Sequence, residues 1–116
     1  EYTIYGYKGK QVRDNIHSYD VASFISEFIN DPKVAAIYNI GGGYENSISI
    51  KESISKIESI SGIKMKYKYS DISRIGDHIC YYSNLDKIKN DFPKWEITKN
   101  LDKIFKDVHD NLKENL

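Results

Sequence analysis

Two arginines stand apart in a chain whose other basic residues are all lysine: Arg13, followed by Asp14, and Arg74, in the run Arg74-Ile75-Gly76-Asp77. A guanidinium grips a phosphate or carboxylate through two parallel hydrogen bonds, which the point charge of a lysine cannot reproduce. Where lysine meets nearly every other need for positive charge, the arginines are the candidates for holding an anion. The competing reading is a pair of ordinary structural ion pairs. The Arg-x-Gly-Asp spacing adds chemistry: Gly76 lets the backbone turn tightly, and a carboxylate three positions after an arginine can accept from vicinal sugar hydroxyls. Taken alone, this short motif fits an Arg74–Asp77 ion pair capping a turn equally well.

Other chemistry is poorly served. Gly41, Gly42 and Gly43 run into Tyr44, Glu45 and Asn46, and the next helix begins several residues too late for a G-x-G-x-x-G phosphate turn. The triplet reads as a flexible strand exit. None of the ten tyrosines has a lysine four residues on, so a Tyr-x-x-x-Lys acid/base pair is missing. Asp14, His17 and Asp20, with Asp77 and His78 elsewhere, are metal-ligand types. Asp14 and His17 would fall on opposite faces of an extended segment, however, and Asp20 is placed to cap a helix. His109 lies on the polar side of the closing helix. The single cysteine, Cys80, sits beside Tyr81 and Tyr82 in an apolar run and reads as a buried spectator. It has no internal disulfide partner, which is compatible with a reducing cytoplasm.

The elements that must carry these residues alternate between strand and helix over 116 residues, a length that suits one small domain. Tyr2 to Tyr7 and Gln11 to His17 look extended, separated by Gly6 and Gly9. Val21, Phe24, Ile25, Phe28 and Ile29 repeat at helical spacing until Asn30, Asp31 and Pro32. Ala36 to Ile40 reads as a short buried strand. Ser49 and Glu52 have capping-box spacing ahead of a stripe of Ile50, Ile54, Ile57 and Ile60, and Gly62 suits the left-handed turn that ends a helix. Ile63 to Tyr69 alternates apolar residues with lysines, as a half-buried strand does. Asp71 to His78 is a polar loop, Asn84 to Phe92 a short helix stopped by Pro93, and Leu101 to Leu112 the closing helix. Acidic and basic residues balance at 17 each, leaving no general field for nucleic acid or anionic membrane, so any anion site is local. No run approaches the roughly 20 apolar residues of a membrane helix.

Three ordered blocks carry a resemblance. Gly9 to Ile25 (GKQVRDNIHSYDVASFI) resembles an R-D-x-I-H-x-x-D-V block, Tyr38 to Gly43 (YNIGGG) a Y-N-x-G block, and Ser73 to His78 (SRIGDH) an R-x-G-D block. Pro93 to Phe105 is similar to a closing W-x-x-x-x-x-L segment. Together they resemble the extended short-chain dehydrogenase/reductases of the NAD-dependent epimerase/dehydratase family, which modify nucleotide-linked sugars. The run GDHICYYSNLDKI (Gly76 to Ile88) with FPKW leans toward members that use CDP-sugars.

The resemblance implies an α/β fold in which residues 1–116 form the C-terminal substrate-binding lobe of a Rossmann-type enzyme, its N-terminal half absent. It implies that Arg13 and Arg74 contact the nucleotide diphosphate and that Asp77 lies near the ribose. His17 and His78 are assigned to packing or support. NAD and the catalytic tyrosine would come from the absent half, so the chain alone is expected to be inactive. The implied partners are a nucleotide-diphosphate sugar, the chain's own N-terminal half and a second copy in a homo-oligomer. A stand-alone nucleotide-sugar-binding module without catalysis is the alternative.

Overall fold

The computed structural model describes residues 1–73 and 75–114. Two compact units emerge from it: Glu1–Arg13, Ile48–Tyr81 and Phe105–Leu116 in the first, Asp14–Ser47 and Tyr82–Ile104 in the second.

In the first unit β1 (Tyr2–Tyr5) lies parallel to β4 (Tyr67–Ser70), with Tyr2 opposite Tyr67 and Ile4 opposite Tyr69. The extended stretch expected to reach Tyr7 ends earlier, because Gly6 adopts φ 61° and starts a single tight turn over Tyr7–Gly9. Beyond it β2 (Val12–Asp14) is central in a three-stranded sheet, between β3 (Ser47–Ser49) and β5 (Cys80–Tyr81), and its pairing with β5 is parallel.

Helix α2 (Ile50–Ser61) begins with the expected capping box. The Ser49 N–H donates to Glu52 Oε2 at 2.9 Å, and the Glu52 N–H donates to Ser49 Oγ at 3.2 Å. Two first-turn donors are satisfied reciprocally. Gly62 ends the helix at φ 71°, its N–H donating to the Glu58 carbonyl. Among the described residues of this unit, Ile4 and Ile54 are the buried apolar side chains.

Two expectations change here. The predicted strand from Ile63 is paired only over Tyr67–Ser70, and Tyr67 and Tyr69 are exposed, their rings meeting edge-on at 5.7 Å. Alternation sets which side a residue takes, but burial needs a covering layer. Cys80 is exposed rather than buried, because β5 is a two-residue strand at the edge of its sheet.

In the second unit α1 (Ser18–Asn30) is capped by His17, whose Nδ1 accepts from the Tyr19 N–H at 3.0 Å. Asp20, expected as the cap, is instead completely buried. Its Oδ1 accepts from the Thr98 N–H and hydroxyl at 3.0 and 2.6 Å, and its Oδ2 from the Lys99 N–H at 3.0 Å. The carboxylate therefore satisfies donors of a returning segment far along the chain. The Trp95 indole adds N–H bonds to the Asp20 carbonyl and the Ser23 hydroxyl.

Around this tie Phe24, Leu85, Ile88, Phe92 and Trp95 form the core, with Phe28, Tyr38 and Ile40 packed against it. The Phe24 ring meets Phe92 almost perpendicularly at 5.3 Å, the edge-to-face geometry aromatic quadrupoles favour. Ala36 to Ile40 is not a strand: Tyr38 and Ile40 pack inward, but none of the described strands pairs with it. Helix α3 (Asp86–Asp91) stops just before Pro93, as expected. The closing helix α4 (Leu101–Glu114) buries no residue fully, and Val108 and Leu112 of its apolar stripe are exposed.

Candidate functional site

Arg13 is fixed at its backbone by β2, where it lies opposite Tyr81 of β5. Its Nη2 donates to Asp77 Oδ1 at 2.8 Å, and its Nη1 donates to the Val12 carbonyl at 2.7 Å. The arginine of the first block and the carboxylate of the third thus meet across 64 positions of sequence. Arg74 lies outside the described residues. The carboxylate follows directly on Gly76, whose φ of 79° is left-handed backbone that favours glycine. The Arg13 and Asp77 side chains are 40% and 33% exposed, so solvent screens their attraction and the pair contributes little to stability.

Asp77 lines a cavity of about 290 Å3 together with Gly6, Gln11, Asp71, Ser73 and His78. The wall is rich in acceptors. Gln11 is buried there; its Nε2 donates to the Tyr5 carbonyl at 2.8 Å, while its Oε1 is buried with no hydrogen-bond partner. Such an orphaned acceptor costs about 1–3 kcal/mol. His78 is exposed, its Nδ1 lying 3.2 Å from the Gly76 carbonyl. Sequence reasoning passed over Gln11, since nothing in its local pattern marks a buried amide.

The glycine triplet has a different role from a flexible strand exit. All three glycines are buried, and the Gly43 N–H donates to Asp14 Oδ2 at 3.0 Å, as does the Ser83 N–H. Burial pushes the Asp14 carboxyl up, but the Ser83 and Gly43 hydrogen bonds outweigh it and hold the group below its ordinary value. A Cβ on Gly41 would lie 2.2 Å from Ser83 Oγ, and one on Gly42 2.0 Å from the Asn15 carbonyl oxygen. The triplet is a packing junction. With the Gly43 N–H turned onto Asp14, this turn does not fit the pyrophosphate of NAD.

Asp14, considered above as a metal ligand, is thereby an acceptor for two backbone donors. Among the described residues no group of three or more His, Cys, Asp or Glu is arranged to hold a metal. The second unit has a larger cavity of about 660 Å3, with Gly43, Tyr44, Ser83, Lys89 and Trp95 in its wall. Among the described residues no helix is long and apolar enough to cross a membrane.

No family model matches the chain. Over 91 residues, 77% of the chain, it is 33% identical to CDP-paratose 2-epimerase of Salmonella typhi, covering 26% of that protein. Among solved structures, dTDP-glucose 4,6-dehydratase of Bacillus anthracis in complex with NAD is 29% identical, with a TM-score of 0.80 over 97% of this chain and 34% of that one. UDP-glucuronic acid 4-epimerase of Bacillus cereus, in complex with UDP-glucuronic acid and NAD, shares the fold at a TM-score of 0.83 over 98% of this chain and 35% of that one, at 24% identity. The chain spans between a quarter and about a third of these relatives' own length. Sequence similarity and fold agree with the three ordered motif blocks, and the chain belongs to the extended short-chain dehydrogenase/reductases, in the family of NAD-dependent epimerases and dehydratases.

Proposed function

We propose that the chain is the C-terminal substrate lobe of a nucleotide-sugar epimerase with the activity of CDP-paratose 2-epimerase. In this reading Arg13 and Arg74 clasp the diphosphate of a CDP-sugar and Asp77 lies at its ribose end. The observation that carries it is the 2.8 Å contact between Arg13 and Asp77, which joins the R-D and R-x-G-D blocks beside an acceptor-lined cavity. An acceptor-rich wall suits the hydroxyls of a sugar, and a guanidinium suits a diphosphate. NAD, which the chain's own glycine turn does not fit, is assigned with the Tyr-x-x-x-Lys pair to the part of the parent protein that this chain does not span. The chain by itself binds without turning over.

Calorimetric titration of the chain with CDP tests the reading. Arg13→Ala should lower affinity by about 1.5–3 kcal/mol, the range for a hydrogen bond to a charged group, which is roughly ten- to 150-fold. Absence of CDP binding to the wild-type chain at millimolar concentration, or an unchanged affinity in Arg13→Ala, would refute it. Replacing CDP by UDP tests the cytidine preference, which predicts weaker binding of UDP.

A further inference from the structure

We infer that Asp77 is a positioning residue for Arg13, acting on the diphosphate through the guanidinium rather than only beside the ribose. The inference rests on the diphosphate reading above and adds a role to Asp77. A free arginine side chain samples many rotamers, and ordering it on a ligand opposes binding. Here both ends of the fork are already engaged: Nη1 donates to the Val12 carbonyl at 2.7 Å and Nη2 to Asp77 Oδ1 at 2.8 Å. The first partner is backbone of the same strand, so it fixes the near end. Asp77 ties the far end to another segment, and Asp77 is itself set in place by the left-handed turn at Gly76. Together they fix the plane of the guanidinium.

An opposing effect has to be weighed. A carboxylate beside an anion site also repels the anion, and if charge decided the outcome, removing Asp77 would tighten binding. Both side chains are more than a third or close to a third exposed, so water and salt screen that repulsion. The entropy of ordering a long side chain is not screened. Geometry therefore outweighs repulsion at this position.

The two roles separate on a probe without ribose. Inorganic pyrophosphate and CDP are titrated into the wild-type chain, Asp77→Ala and Asp77→Asn, with far-UV circular dichroism confirming an unchanged fold. Positioning predicts that Asp77→Ala weakens pyrophosphate about three- to tenfold, the range for immobilising one long side chain. Asp77→Asn should recover most of it, because the carboxamide oxygen still accepts from Nη2. An Asp77→Ala variant that binds pyrophosphate as well as or better than wild type, while losing CDP affinity, overturns the inference and leaves the diphosphate reading intact. Asp77→Asn no better than Asp77→Ala overturns it too. Wild-type chain that binds neither probe removes both.

Discussion

Replacing Asp20 by alanine removes a carboxylate that holds the second unit together from within. The group is completely buried and accepts three hydrogen bonds, two from Thr98 and one from Lys99, at 2.6 to 3.0 Å. At about 1.5–3 kcal/mol for each bond to a charged acceptor, a simple sum gives roughly 4.5–9 kcal/mol. That sum is too large, because such bonds are not independent and Thr98 is exposed enough for water to take over its donors. We expect a loss of about 3 kcal/mol, a large share of the roughly 5–15 kcal/mol that holds a typical domain folded. Thr98→Val, which removes one hydroxyl donor and keeps the backbone bonds, should cost about 1 kcal/mol. Urea unfolding followed by tryptophan fluorescence reads this directly, because Trp95 is the chain's only tryptophan and its indole N–H is bonded to the Asp20 carbonyl. An Asp20→Ala variant within about 0.5 kcal/mol of wild type, the size of an ordinary surface substitution, would refute the reasoning.

Four further outcomes follow from other positions. Arg74→Ala should lose about 1.5–3 kcal/mol of CDP affinity and Arg74→Lys should recover only part of it, as read by calorimetry. The Asp14 carboxyl is held below its ordinary value of 3.8, so its contribution to stability is present above that pH and is lost as pH falls through the lower folded value. Urea midpoints measured from about pH 5.5 down to about pH 3 should therefore fall more steeply for wild type than for Asp14→Asn. Gly42→Ala would place a Cβ 2.0 Å from the Asn15 oxygen and should cost about 3 kcal/mol or more, whereas Gly62→Ala meets no atom within 4 Å and should cost only about 1 kcal/mol for its left-handed backbone. Tyr2, Tyr5 and Tyr7 are all about half exposed on and beside β1, so light scattering should show self-association that rises with concentration; a monomer throughout would contradict this.

Local rules were the most legible part of the chain. Ser49 with Glu52, the left-handed Gly62 and the stop at Pro93 each depend on neighbours within a few residues, and each appears where the spacing put it. Asp20 failed as a cap for the converse reason: local spacing permits that role, but the donors it satisfies lie 78 and 79 positions away. The strand expected at Ala36 to Ile40 shows the same limit, since a pattern can favour an extended chain but cannot supply the neighbour that makes a ladder. Of the site, the motif order pointed to Arg13 and Asp77, and their direct contact could not be read from either block alone. The spacing around Asp14 suggested a metal ligand and gave no sign of the two backbone donors it accepts from, while Gln11 carried no local mark and is distinguished only by being buried.

Three consecutive glycines ordinarily invite an engineer to cut, tag or insert, because such runs are the usual fabric of flexible connectors. In this chain that choice would open the second unit at one of its tightest points. Backbone from Gly41 to Gly43 occupies space that a single added carbon would overfill, and its last N–H is fastened to Asp14. Split-protein designs, circular permutants and epitope insertions are better directed to Val34, whose side chain stands in solvent.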